Sequence, residues 1–305
     1  MSRRILALGP DQGWHAERLR QAALAAGDEI CWARYESLRV GIEKSGRQQV
    51  SAINSADGGA LDVSQFDHIL VRTMPAGSLE QITLRLSILH SLVERGQSVV
   101  NSPTGMEWAI DKYRTLARIA LLGFPVPETR VVQTRREAMD AFDALGGDVI
   151  SKPLFGGEGR GVTRLIDREV AWYSFAVLEQ LNAVIYLQRF VPPGGSDTRL
   201  LVIGEDVFGI QRWAAKGWKT NVSQGAACKA IEPTAEQRQL ALRIAREFNL
   251  RIAAIDAIDC EDGIAKILEV NAVPGWKGAE RALGIDLAAV MLAALNGRET
   301  LQDCK

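Results

Sequence analysis

Over its first hundred residues the chain switches repeatedly between short apolar runs and segments whose apolar positions recur every three or four residues. The runs Arg4–Leu8, Ile30–Tyr35, His68–Arg72 and Ser98–Asn101 predict strands. Between them, Trp14–Ala26, closed by Gly27, and Leu79–Arg95, closed by Gly96, predict helices. Strands separated by helices make βαβ units, so the pattern predicts an α/β chain that opens with a parallel sheet. Leu38–Leu61 is more weakly patterned and suggests a short hairpin around Asp57-Gly58-Gly59.

From Thr104 the texture changes. A helix over Gly105–Leu122 is expected to stop before Pro125 and Pro127. A strand near Thr129–Gln133, a helix over Arg135–Leu145 and a strand over Asp148–Lys152 follow, and then a glycine-rich loop. The remainder reads as strand-rich to about Arg212, with a helix over Thr234–Phe248, two apolar strands and a closing helix over Leu287–Leu295. The chain shows no internal repeat and no low-complexity linker.

At 305 residues the chain can bury a large core and divide into two or three domains. A net charge of -1 offers no global field to recruit nucleic acid or an anionic membrane, so neither is expected as a partner. The opening Met1–Gly9 is too short for a signal peptide's apolar region and no stretch reaches transmembrane length. Cys31, Cys228, Cys260 and Cys304 are scattered and read as reduced thiols of a cytoplasmic protein, and His15, His68 and His90 lack zinc spacing.

Two segments carry candidate chemistry. In Ile267–Gly275, Glu269 and Asn271 lie two apart on an expected strand and so share a face. An oxygen-only pair suits Mg²⁺, and Asp256, in the apolar run Ile252–Ile258, can add a third oxygen. The same pair also fits a solvated strand face that ends in a turn. The second segment is the loop with Gly156, Gly157, Gly159 and Gly161, directly after Lys152-Pro153. Glycines let backbone N–H groups close on an anion, and Lys152 places an ammonium at the loop's base. The loop matches neither a P-loop nor a dinucleotide fingerprint, so a flap over phosphates or a plain surface hairpin remain the readings.

Taken in order, Asn101-Ser-Pro, Asp111-Lys112-Tyr-Arg114, Ser151-Lys152-Pro with its glycines, Gln188-Arg-Phe-Val191, Ser196-Asp197-Thr-Arg199, Gln211-Arg212, Lys219-Thr-Asn221, Ile255-Asp256 and Leu268–Gly275 resemble the ATP-grasp ligases, most of all the RimK family of ATP-dependent glutamate ligases. The resemblance implies an ATP-grasp fold behind a pre-ATP-grasp βαβ domain, with units at 1–101, 102–185 and 186–305. It implies a carboxylate–amine ligase that works through an acyl phosphate and releases ADP. It assigns two Mg²⁺ (or Mn²⁺) ions to Asp256, Glu269 and Asn271, and the α- and β-phosphates to Lys112 and Lys152. An adenine hinge falls on Gln188, Arg189, Phe190 and Val191, with Asp197 near the ribose or hinge. Arg212, Lys219 and Asn221 then neutralise the γ-phosphate and the forming acyl phosphate, while Arg199 fits either such a role or a structural ion pair. Two positions depart from the family pattern: Arg189 stands where an acidic residue is usual, and Lys219 replaces an arginine, which keeps the charge but loses the bidentate fork.

The acceptor is expected beyond the carboxyl ends of the parallel strands, near Gly9–Trp14 and Val71–Thr73. Arg72 is the candidate for a substrate carboxylate, or alternatively for a structural turn, and Lys277 is a second candidate contact. The stretch Arg72–Arg85 resembles the branch linked to tetrahydromethanopterin one-carbon metabolism, which implies glutamate addition to a pterin or furan cofactor. Glutamylation of a protein C-terminus and a non-catalytic ATP-binding module are the alternatives. The family also implies a homo-oligomer.

Overall fold

The computed structural model describes residues 2–157, 159–222, 225–260 and 265–296; Glu158 of the glycine loop and Cys304 lie outside them. The first sheet has four parallel strands in the order β2 (Glu29–Ala33), β1 (Arg4–Leu8), β6 (His68–Val71), β7 (Ser98–Val100). Ile5 to Leu8 are fully buried because helices cover both faces. Ile5 and Ala7 meet Leu19 and Ala23 of α1 (Trp14–Ala26), whereas Leu6 and Leu8 meet Leu89 and Leu92 of α2 (Leu79–Glu94). This is the period of two that a strand imposes.

The weakly patterned Leu38–Leu61 holds more than one hairpin. It forms an antiparallel sheet of β3 (Arg39–Ile42), β4 (Gln48–Ile53) and β5 (Ala60–Asp62), with the expected turn joining the last two. β3 is exposed along its whole length and therefore shows no alternation in the sequence.

The second sheet is antiparallel, ordered β10 (Thr163–Leu165), β9 (Val149–Lys152), β11 (Ile185–Arg189), β8 (Thr129–Val132). β11 carries it to Arg189, four residues past the expected boundary at 185. α5 (Arg135–Ala144) and α6 (Arg168–Gln180) pack their apolar faces on it. The sequence pattern had no place for α6. Asp167 caps it by accepting from the N–H groups of Glu169 and Val170, but Val170, Tyr173 and Val177 point outward opposite Ala171 and Phe175. With apolar residues on both sides the helical contrast disappears.

The third sheet, also antiparallel, runs β14 (Ala227–Ile231), β13 (Asp206–Trp213), β12 (Ser196–Ile203), β15 (Ile252–Ile258), β16 (Lys266–Asn271). One face takes α7 (Ala235–Glu247). The other takes α9 (Leu287–Ala294), which also packs on α1, so one core joins the first and third sheets. Asn101 tightens that junction: its Oδ1 accepts from the N–H groups of Arg251 and Ile252, and its Nδ2 donates to the carbonyls of Ile252 and Ala272.

The single helix expected over Gly105–Leu122 is two, α3 (Pro103–Ile110) and α4 (Lys112–Leu121). Asp111 between them is extended and caps α4, accepting from Arg114 N–H at 3.0 Å. Gly105 makes the docking possible, because a Cβ there would stand 2.5 Å from the Phe248 carbonyl. The break sets Lys112 at the mouth of the cleft between the second and third sheets.

Candidate active site

That cleft, its open mouth included, spans about 920 Å³. Its apolar side comes from Ile150, Val162, Phe190, Val191, Ile258 and Leu268, and its polar side from Lys112, Lys152, Asp197, Arg212, Lys219, Asn221, Asp256 and Glu269. Gly156, Gly157 and Gly159 border it from the glycine loop, and Gln188 and Arg189 from β11. Residues more than a hundred positions apart thus converge on one space. Gly161 does not line it and packs against the Pro153 ring instead.

Lys152 ends β9, and its ammonium donates to Gln188 Oε1 at 2.7 Å. Burial pulls its pKa from 10.5 to about 8, against the opposing pull of the Glu269 charge. Lys112 reaches across to donate to the Gly156 carbonyl at 2.7 Å, and burial lowers its pKa too. Two ammonium groups with few compensating charges stand ready for an anion that supplies what burial removed.

On the opposite wall, Asp256 and Glu269 face each other in register across β15 and β16, beside a bulge after Asp256. Burial pushes the Asp256 carboxyl upward, but the guanidinium groups of Arg199 and Arg212 outweigh it and hold it well below the usual carboxylate range. Arg199 bonds both Asp256 oxygens at 2.7 Å, the structural ion pair among its two expected roles. Arg212 bonds Asp197 through Nε at 2.7 Å and reaches Asp256 at 2.9 Å. Asp197 is buried at the cleft wall, clamped by Arg212 and by the Thr220 hydroxyl at 2.6 Å. Burial raises its pKa despite Arg212. Glu269 differs from both: among the described residues no arginine pairs with it, and its partner is Asn271 Nδ2 at 3.1 Å.

Asp256, Glu269 and Asn271 are an oxygen-only set on two adjacent strands. That fits Mg²⁺, which needs one or two carboxylates and completes its shell with water and phosphate oxygens. When bound, such an ion neutralises charge on transferring phosphates. Among the described residues no cluster of three His, Cys, Asp or Glu forms an all-protein metal cage.

The family described as the RimK-like ATP-grasp domain matches residues 109–295, from just before Lys112 to the last helix. The chain belongs to this family. With it comes the reaction class, an ATP-dependent carboxylate–amine ligase. The chain is 32% identical over 266 residues to the tetrahydromethanopterin:alpha-L-glutamate ligase of Methanosarcina acetivorans, covering 78% of this chain and 82% of that protein. It is 30% identical over 213 residues to the ribosomal protein bS6–L-glutamate ligase of Escherichia coli O139:H28, covering 68% and 71%. The fold is shared with the RimK domain ATP-grasp protein of Sphaerobacter thermophilus (TM-score 0.72, 22% identity, 96% of this chain and 100% of that one). It is shared also with the ATP-grasp ligase PsnB, solved with minimal precursor, Mg and ADP (TM-score 0.71, 21% identity, 96% of each chain).

Within this RimK-like frame, Arg189 is half exposed and pairs with Glu128 at 3.0 Å, at the cleft's edge. Lys219 lies 5.4 Å from the centre of the Trp218 ring, and Trp218 meets Phe190 edge-on. Asn221 presses on Gly159, where an added Cβ would stand 2.4 Å from its Oδ1, so the glycine loop and the β13–β14 connection touch above the cleft. Trp218, Thr220, Ile150, Val162, Ile258 and Leu268 were not among the expected site residues, whereas Phe190 and Val191 of the apolar wall were. An isolated hydroxyl or aliphatic side chain carries no chemical signature, and only the packing of strands and loops brings these to the cleft.

A second opening, about 730 Å³, lies where the acceptor was expected. It is lined by Gly9–Gln12 after β1, Arg34–Glu36 after β2, and Thr73 and Pro75 after β6. The strand order reverses direction between β1 and β6, which makes this the switch point of the parallel sheet. Arg72 and Lys277 line neither opening. Arg72 is buried against Trp276, and exposed Lys277 lies 5.9 Å from the centre of the Trp14 ring. Trp14, His15 and Trp276 pack together where the first and third sheets meet, with Trp276 N–H donating to His15 Nε2.

Proposed function

We propose that this ligase adds L-glutamate to a small-molecule acceptor, a cofactor of the pterin or furan type. The observation that carries the reading is the similarity to the tetrahydromethanopterin ligase, which spans more of both chains than that to the bS6 ligases. The second opening supports it, since a cofactor tail can lie there with its carboxylate directed to the cleft.

In this reading an acceptor carboxylate oxygen attacks the γ-phosphorus of ATP and ADP leaves. The glutamate amine then attacks the acyl carbon, phosphate departs and a proton is lost. The protein's task is to position groups and match charge. Lys112 and Lys152 take the α- and β-phosphates, the β11 backbone through Val191 takes the adenine, and Asp256, Glu269 and Asn271 hold two Mg²⁺ ions. Arg212, Lys219 and Asn221 face the transferring phosphoryl group. Arg212 is pre-set for this by Asp197 and Asp256, which fix its plane.

A homo-oligomer belongs to the proposal. Ile166, Val170, Tyr173, Val177 and Leu181 form one uncharged stripe along α6, and each is more than half exposed. Together they present on the order of 600 Å², near the ~800 Å² per partner of a stable interface. A second copy related by a two-fold axis would cover the stripe with itself. A cytoplasmic site is also proposed. It is supported by Cys31 and Cys228 being free thiols, and among the described residues no helix is long and apolar enough to cross a membrane.

The test is to incubate the protein with ATP, Mg²⁺, L-glutamate and reduced pterin or deazaflavin-type acceptors, and to weigh the products. A glutamyl mass increment matched by ADP supports the reading. An increment only on a protein or peptide C-terminus transfers the function to the second class of relatives. Nucleotide binding without any increment refutes it.

A further inference from the structure

Buried arginines in this protein meet carboxylates: Arg212 has Asp197 and Asp256, and Arg199 has Asp256. Arg72 has none. It is 8% exposed, follows directly on β6, and its backbone is pinned by Tyr35 Oη, which donates to its carbonyl at 3.1 Å. Of its five N–H donors, the bond made is a long one, from Nη2 to the Pro274 carbonyl at 3.3 Å. The guanidinium carbon stands 4.7 Å from the centre of the Trp276 ring. The charge acting on it comes from no carboxylate, and burial lowers its pKa to about 10. The indole N–H of Trp276 is likewise buried without an acceptor. This corner has donors and positive charge but lacks acceptor oxygen, an arrangement that costs stability until an anion arrives.

Its position says which anion. Pro274 follows Asn271 by three residues, and an extended chain advances at most ~3.5 Å per residue. The Pro274 Cα therefore lies within roughly 10 Å of the Asn271 Cα, and the guanidinium stands one hydrogen bond beyond the Pro274 carbonyl, beside the segment that continues the strand of Glu269 and Asn271. On its other side are Gly9 and Thr73, both bordering the opening at the sheet's switch point, and a Cβ on Gly9 would touch Arg72 Cβ.

We propose that Arg72, seated over the Trp276 ring, binds a non-reacting carboxylate of the amino-acid substrate and so makes the enzyme select an amino dicarboxylate. The inference rests on the ligase reading above. The ring and the Pro274 carbonyl hold the guanidinium in place, and the N–H donors that remain match a carboxylate through paired hydrogen bonds. Lys277 lies over the neighbouring Trp14 ring and adds positive charge to this junction. A purely structural alternative is that Arg72 only pins the first sheet to the loop after β16.

The experiment compares wild type with Arg72→Lys, which keeps the charge and loses the fork. Rates are measured with L-glutamate and with its α-amide and γ-amide, each lacking one carboxylate. The expected result is that wild type rejects one amide, that Arg72→Lys raises the KM for glutamate at least tenfold, and that its preference for glutamate over that amide collapses. The KM for ATP and the melting temperature stay near wild type. An unchanged glutamate preference, or a loss that tracks the melting temperature and the KM for ATP together, overturns the proposal in favour of the pin. If wild type adds no amino acid at all, the ligase reading fails, and calorimetric titration with L-glutamate and glutarate decides about Arg72 separately. Binding to wild type that Arg72→Lys loses supports the site; equal binding or none overturns it.

Discussion

Replacing Lys152 with methionine should stabilise the empty protein while removing its grip on nucleotide. The fall of the Lys152 pKa from 10.5 to about 8 corresponds to roughly 3 kcal/mol spent at neutral pH to keep the ammonium charged in the folded state. The side chain retains partial solvent contact, which reduces this to about 2 kcal/mol. Against it stands the bond to Gln188, worth about 1 kcal/mol net. Lys152→Met should therefore gain about 1 kcal/mol, which for a chain of this size is a rise of roughly 1.5–2 °C in melting temperature. The sign of the pH dependence follows from the depressed folded pKa. The unfolded chain binds the extra proton between about 8 and 10.5, so wild-type stability rises with pH through that window. The advantage of the variant is then full below pH 8 and fades above it. The assay is differential scanning calorimetry from pH 6.5 to 10, with and without ADP and Mg²⁺. Wild type should gain stability on adding nucleotide, and the variant should gain much less. A variant that melts below wild type at pH 7, or that keeps the full nucleotide-induced shift, refutes the reasoning.

Glu269 is the cleft carboxylate without an arginine, so Glu269→Ala should abolish turnover and Mg²⁺-dependent ADP binding with little change in melting temperature; wild-type turnover would discard its metal role. Gly159 holds a left-handed backbone (φ +70°) against Asn221, so Gly159→Ala should cost about 1–2 kcal/mol of local strain and slow turnover at least tenfold, read as kcat in the ligase assay at a temperature well below melting. Tyr173→Glu places a charge in the α6 stripe and should shift sedimentation to the monomer, whereas an unchanged oligomer would exclude that face.

Much of the fold is legible in the chain where one face is buried and the other wet, because periodicity then reports the element. α1, α5 and α7 fall where the pattern places them, within a residue or two. The pattern fails where that contrast is lost: at β3, exposed throughout, and at α6, apolar on both sides. It also fails at Asp111, where a capping side chain breaks what the spacing reads as one helix. Of the candidate site, Lys152, Asp256 and Glu269 stand out in the sequence because their chemistry is rare beside glycines or within apolar strands, whereas Lys112, at a helix start, is assigned by the family resemblance alone.

The sequence by itself determines the element types, the order of the motifs and hence the family, since these depend on local spacing and residue chemistry. Only the tertiary structure decides partnership. It sets Asp256 opposite Glu269 through the β15–β16 register and binds Arg212 to two carboxylates at once. It also leaves Arg72 with an indole and a carbonyl but, among the described residues, no counter-charge. The energy of a buried charge depends on what lies within a few ångströms, and that is set by packing between segments far apart in the chain.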